Sequence, residues 1–332
     1  MTQDTTALGY WLNGRFFLCA LFIIFSVGLA SFLIWKYEEF NESRNERRER
    51  RRETPGSLYE DDAWKACLKG IHPAWLLAYR IFSFVVLLAL IITNVVTDGI
   101  GIFYFYTQWT FTLVTIYFGF GSCFSIYGCC FKHNKIDGSL VNHDYLETEQ
   151  GIYVAPSLDG IVDVPDLYKN SNAYQEPPTP RTAGVWGYIF QMIFQISAGA
   201  VVLTDLVFWL LIYPFMTSED FRLNFMDVCL HSLNALLLLG ETSLNCMRFP
   251  MFRFAYFVLW TAIFVIFQWI IHACISMRWP YPFLDLSSPY APLWYLAVGV
   301  VHIPCYGVFA LIVKLKQLWL SKSFPGSCQF VR

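Results

Sequence analysis

The sequence predicts an all-α polytopic membrane protein: a helix bundle of about seven transmembrane helices, with the N-terminus outside or lumenal and the C-terminus cytosolic. Three observations carry this. Of 332 residues, 56% are hydrophobic and only 14% charged, where soluble domains carry about 25% charged residues. The apolar residues fall in blocks of about 20 or more, the length a helix needs to cross roughly 30 Å of hydrocarbon. Aromatics gather at the block edges (Trp11, Trp35, Tyr37, the 103–106 run, Trp279, Trp294, Trp319), as amphipathic rings do at membrane interfaces.

The blocks give spans at about 11–35, 75–97, 103–130, 184–214, 224–244, 252–276 and 292–318. Lipid offers no partner for backbone polar groups, so each block is expected to be a helix. The first is too long for a signal peptide and lacks a small-residue cleavage site, so it reads as a retained anchor. The chain divides into an extra N-terminal helix (1–35), a cytosolic Arg-rich linker (36–73), a six-helix core (74–320) interrupted by a flexible cytosolic loop (131–183), and a cytosolic tail (321–332).

Lys and Arg set the orientation. Segments 36–73, 131–183, 245–253 and 314–332 hold nine, four, two and four of the 23 basic residues, and the remainder are Arg15, Arg80, Arg222 and Arg278. Such a bias marks the cytosolic side. The densest cluster, Arg44 to Arg52, is interleaved with Glu42, Glu46, Glu49 and Glu53. It reads as a solvated linker, with contact to anionic headgroups as the alternative. Arg80 is expected to snorkel at the cytosolic end of its span, and Glu241 to pair with Arg248. Asn41 forms a glycosylation sequon on the side where none is used, and Thr179 precedes a proline as a candidate phosphosite.

Most of the ten cysteines lie inside apolar blocks, where Cys behaves as a small hydrophobe. Cys129, Cys130 and Cys328 fall at expected cytosolic membrane edges, positions open to S-acylation. A net charge of −2 gives no footprint for nucleic acid. A G-protein-coupled receptor is excluded, because the third span ends in Tyr127-Gly128-Cys129 without an acidic-Arg-aromatic triplet and the last lacks Asn-Pro-x-x-Tyr.

Ionisable groups inside spans are costly and usually face the bundle interior. In the fifth span Asn224, Asp227, His231, Asn234, Leu238 and Glu241 recur at steps of three and four, which places them on one helical face. His231 lies seven residues into that span, about 10 Å deep at 1.5 Å per residue. Thr110, Asp205, His272 and His302 reach a similar layer from four other spans. A hydroxyl becomes a nucleophile when a neighbouring base takes its proton, so Thr110 with His231 is the minimal pair, with Asp205 or His272 to orient the imidazole. The alternative is interhelical polar contacts worth about 0.6 kcal/mol each.

His231 with Glu241 ten residues later, followed by Arg278-Trp279-Pro280-Tyr281-Pro282-Phe283-Leu284-Asp285, resembles the androgen-induced and androgen-dependent transmembrane hydrolase family. Trp109-Thr110-Phe111, with Phe118-Gly119 after it, is similar to that family's catalytic threonine segment. His72-Pro73-Ala74-Trp75-Leu76 and Phe105-Tyr106-Thr107-Gln108-Trp109-Thr110 resemble hallmark stretches of the rolling-stone-like multi-pass proteins, a branch associated with cell fusion. The likeness covers roughly residues 75–320. It implies a threonine hydrolase of fatty acid esters of hydroxy fatty acids that needs no metal or organic cofactor, with Thr110 and His231 as the catalytic pair. Three features depart from the family pattern. His231 precedes Ser232-Leu233-Asn234 instead of Thr-Thr and a proline, Trp109 adjoins the threonine, and His272 is displaced by about one position.

Three functions are therefore open: an intramembrane hydrolase of lipid esters, a non-enzymatic protein of adhesion, fusion or scaffolding that works through its cytosolic loops, and a transporter. No inverted repeat or matched pair of broken helices supports the third. The location is an endoplasmic reticulum, endomembrane or plasma membrane. The partners implied are the bilayer and a lipid or fatty-ester substrate, and the sequence names no protein partner.

Overall fold

The computed structural model describes residues 4–38, 59–133, 183–217 and 221–328. Its principal helices are α1 (Gly14–Tyr37), α2 (Pro73–Asp98), α3 (Tyr106–Tyr127), α4 (Val185–Val207), α5 (Asn234–Leu244), α6 (Phe254–Cys274) and α7 (Ala291–Ser323). All but α5 belong to continuous helical stretches long and apolar enough to cross a bilayer, six in number among the described residues. The chain is an integral, multi-pass membrane protein. The remaining expected span, 224–244, is interrupted: one helical turn, Phe225–Val228, leads through a π turn, Cys229–Leu233, into α5. The Arg44–Arg52 cluster, Asn41, Thr179 and nearly all of the 131–183 loop lie outside the described residues.

Local chemistry sets the helix ends. Asn13 caps α1, its Oδ1 accepting the Phe16 N–H at 2.9 Å. Pro73 occupies the first turn of α2, where a missing N–H has no cost, and His72 Nδ1 accepts the Ala74 N–H at 3.2 Å. The same helix stops at Gly99, whose φ of 77° is open to glycine and unfavourable for other residues.

The inner helix is α4, which touches α3, α5, α6 and α7. Its approach to α6 depends on Gly199, because a Cβ there would stand 2.6 Å from the Phe257 ring. On one side α2, α3 and α5 pack with α4 around Phe111, Tyr117, Phe118, Phe190, Phe194 and Leu238. On the other, α1 lies against α6 and α7. The segment from Trp279 to Leu286 joins this second core. The outward sides of α1 and α2 leave Leu21, Ile24, Phe25, Phe82 and Ile92 exposed. Across whole helices such a surface would make a soluble protein aggregate, and in a bilayer it is the lipid-facing wall.

The two fully buried arginines, Arg80 and Arg253, are held by partners inside the bundle. Arg80 does not snorkel. It and Glu241 are both fully buried, joined Nη2 to Oε1 at 2.6 Å, with Nε 3.1 Å from the same oxygen. The other Arg80 donors reach the carbonyls of Ala63 (2.7 Å) and Gly121 (3.1 Å) and Ser125 Oγ (2.7 Å), and Tyr117 donates to Glu241 at 2.8 Å. The partner of Glu241 is thus Arg80, on α2, instead of Arg248, whose guanidinium lies over the Tyr59 ring. Arg253 is buried as well, pairing with Glu38 at 2.7 Å and with Gln191. Lys316 donates to the carbonyls of Thr242 (2.8 Å) and Asn245 (2.9 Å). All ten cysteines are free thiols. Cys130 is exposed, Cys129 half-buried and Cys328 buried.

Removing one member of a buried ion pair leaves the other charge uncompensated, at about 3–5 kcal/mol. Arg80→Met and Glu241→Leu should each lower stability by about that amount in denaturant titrations of the protein in micelles. The double variant should lose clearly less than the sum of the two. Additive losses would show that the two charges are not coupled.

Candidate functional site

Two π turns face each other across the α4–α5 contact: Phe208–Ile212, which continues α4, and Cys229–Leu233, which precedes α5. Such turns insert one residue into a helix and often mark functional positions. Within the second, His231 departs from helical geometry, at φ −115° and ψ 16°, in the sparsely populated bridge region. Its ring stacks on Phe208 with centroids 3.6 Å apart and planes 1° from parallel. Trp209 Nε1 donates to the His231 carbonyl at 2.8 Å. The two helices therefore clamp the imidazole by its face and its backbone. His231 Nδ1 is buried and has no hydrogen-bond partner.

The imidazole borders a cavity of ≈ 80 Å³ lined by α3, α4, α6, α7 and the 281–284 turn. Three threonines line it. Thr204 is turned back on its own helix, donating to Ala200 and Val201 carbonyls at 3.0 and 2.9 Å. Thr261 Oγ1 stands 2.8 Å from His302 Nε2. The third is Thr107, in the first turn of α3. The Tyr281 hydroxyl caps that turn by accepting the Tyr106 N–H at 3.0 Å. Burial pushes the Tyr281 pKa up, with Thr107 beside it acting in the opposite sense, so the phenol is neutral at physiological pH.

The residues expected from the sequence are only partly gathered here. Thr110 is fully buried one turn beyond Thr107. Its Oγ1 has no partner and it does not line the cavity. Trp109 donates to the Phe103 carbonyl at 2.9 Å and packs on Phe267 of α6. The polar stripe is divided by the π turn. Asp227 forms a reciprocal cap with Asn224 (2.7 and 3.0 Å), Asn234 is buried with an unpartnered Nδ2, and Glu241 holds Arg80. Asp205, half-buried, receives a long 3.4 Å contact from Thr204.

His272 lies apart from His231, bonded through Nδ1 to the Gln268 carbonyl at 2.8 Å and stacked on Trp279 at 3.8 Å. The Trp279 indole donates to Tyr10 (2.9 Å), which donates to Asp285 (2.8 Å). Pro282 opens a short 3-10 turn, Pro282–Leu284. The Trp279–Asp285 string thus ties the N-terminal segment to α6 and seats the start of α3. No group of three or more His, Cys, Asp or Glu arranged for a metal occurs among the described residues.

The residues that the sequence reading passed over are Thr107, Tyr106 and Thr261. Thr107 lies within the Phe105–Thr110 stretch, one helical turn before the chosen threonine. The choice between the two depends on which lines the cavity that His231 borders, a tertiary property. In comparisons with known proteins, no family model, curated protein or solved structure matches the chain.

A stacked aromatic pair contributes about 0.5–1.5 kcal/mol beyond its buried area. A double-mutant cycle of Phe208→Ala and His231→Ala, read by thermal unfolding in detergent, should give a coupling energy in that range. Zero coupling would mean that the two rings do not meet.

Proposed function

We propose that the protein is an intramembrane hydrolase of long-chain lipid esters, with His231 as general base and Thr107 as nucleophile. The observation that carries this reading is that His231, whose Nδ1 is buried without a partner, and Thr107 line one apolar cavity. The resemblance of Trp279–Asp285 and of the His231–Glu241 spacing to the androgen-type transmembrane hydrolases points to the same chemistry. It also points to a substrate made of fatty acyl and hydroxy fatty acyl halves.

In this mechanism the imidazole takes the threonine proton as Oγ attacks the ester carbonyl. The tetrahedral adduct collapses, and the alcohol leaves with that proton. Water, deprotonated by the same imidazole, then attacks the acyl-threonine and releases the fatty acid. Apolar walls suit the acyl chains of such an ester, which would enter from the bilayer. The Lys and Arg bias puts the Arg80–Glu241 end of the bundle in the cytosol and the cavity in the opposite half of the membrane.

The test is hydrolysis of a panel of long-chain esters, including a fatty acid ester of a hydroxy fatty acid, by the purified protein in nanodiscs. Losing a positioned base costs about 10²–10⁴-fold in rate. His231→Ala should fall by at least that much with folding intact, as should Thr107→Ala, which should also lose labelling by a fluorophosphonate. Thr110→Ala should keep its activity within a few fold. The reverse pattern would move the nucleophile to Thr110. A wild type inert across the panel would overturn the hydrolase and favour the non-enzymatic reading.

A further inference from the structure

A second, larger cavity of ≈ 160 Å³ lies between α1, α6 and α7. It abuts the first through Thr261. Its lining is apolar apart from a few groups, and Leu29 and Ile303 on its rim are 48% and 63% exposed. The cavity therefore opens on the lipid-facing side of the bundle.

At its inner end stands a chain of three polar side chains: Tyr106 Oη lies 2.8 Å from Thr261 Oγ1, and Thr261 Oγ1 lies 2.8 Å from His302 Nε2. The acceptors around these groups fix where the protons sit. His302 Nδ1 is 2.7 Å from the Val298 carbonyl, so Nδ1 must carry the hydrogen, because two lone pairs at that distance repel. No carboxylate is among its hydrogen-bond partners, and an unpaired imidazolium buried in the membrane is costly. The ring is then neutral and Nε2 is an acceptor. Thr261 must donate to it, although the Phe257 carbonyl lies 3.3 Å away as a weaker alternative. Tyr106 must in turn donate to Thr261.

The other hydroxyls lining the cavity are committed as well. Ser26 donates to the Phe22 carbonyl at 2.8 Å, and Tyr295 donates to the Leu284 carbonyl at 3.2 Å. A molecule reaching Thr261 meets a lone pair that is not engaged, and none of the hydroxyls of Thr261, Ser26 and Tyr295 has a proton to offer. Esters and ethers have no donor to match it, whereas an alcohol does.

We propose that the α1–α6–α7 cavity is a binding site for an apolar lipid with a single terminal hydroxyl, whose O–H donates to Thr261 Oγ1. Long-chain alcohols and sterols share this chemistry. The site is independent of the hydrolase assignment, since neither His231 nor Thr107 borders this cavity.

The experiment is photo-crosslinking in phosphatidylcholine nanodiscs with diazirine analogues of a long-chain primary alcohol and of a sterol. At least one probe should label peptides within 22–33 and 298–303, and which one does so names the source. The methyl ether of the competing alcohol, identical but for the donor, should compete about fivefold less well, the equivalent of roughly one hydrogen bond. Thr261→Val should lose labelling by a similar factor, Thr261→Ser should retain it, and His231→Ala should label as wild type. The proposal is overturned if neither probe labels these peptides, if the ether competes as well as the alcohol, or if folded Thr261→Val labels normally. Should Thr261→Val fail to fold, the ether competition on the wild type decides alone.

Discussion

A bilayer core offers no water to a stray charge, and the packing of α2, α3 and α5 is organised around that constraint. Arg80 and Glu241 sit on different helices and are both inaccessible, so removing either leaves the other without compensation. The Arg80 donors also reach the 3-10 turn Glu60–Ala63 through the Ala63 carbonyl, and α3 through Gly121 and Ser125. One guanidinium thereby fixes the relative positions of three helices and the linker segment before α2. Gly121 makes room for it, since a Cβ there would stand 3.1 Å from Arg80 Cδ. Arg253 does the same for α1, α4 and α6 through Glu38 and Gln191. The ionic contacts are of a kind that tolerates little sliding.

Away from that end the bundle is built differently. The helices hold each other through stacked rings and single hydrogen bonds, and two of them carry π turns. The unpartnered nitrogen of His231 and both cavities occur here. A polar atom left unsatisfied in a membrane interior is destabilising, and the Phe208 stack and the Trp209 bond hold His231 in place against that cost. The π turn explains why the stripe from Asn224 to Glu241 does not act as one face. The extra residue rotates the helix beyond it, so His231 borders the cavity while Asn234 and Glu241 serve the helix contacts.

The helices were legible because lipid allows few alternatives: an apolar block of sufficient length has to satisfy its backbone internally. Six of the seven blocks form continuous helices. The interrupted one, 224–244, carries no proline or glycine at its break to announce it, and the break coincides with the contact of Phe208 and Trp209 with His231, which no local pattern encodes. Pairings were less legible. Arg248 looked like the partner of Glu241 because it is near in sequence, yet Arg80 is 161 positions away and closer in space. Arg80 looked free to snorkel because the cover over it, from Ala63 and Ser125, comes from segments whose positions depend on the fold. The same limit applied to the threonines. Depth along a helix can be counted from sequence, and Thr107 and Thr110 differ by about 4.5 Å along α3, but which of them lines a cavity depends on the neighbouring helices.

From sequence, α1 counts as an extra helix before the six-helix core, which invites the view of α1 as an appendage. Its contacts argue otherwise. Cys19 and Ile23 are buried in the same core as Phe257 and Tyr306, and Arg253 binds Glu38 at its C-terminal end. Without α1, the hydroxyl of Thr261 would face ordinary bilayer, where any acyl chain could pass and none would be held. With α1 in place that face becomes a bounded chamber, one wall of which is shared with the cavity of His231. The added helix thus converts a polar spot on a membrane surface into a site with a shape, and shape together with one lone pair is what allows a lipid hydroxyl to be distinguished from the esters around it.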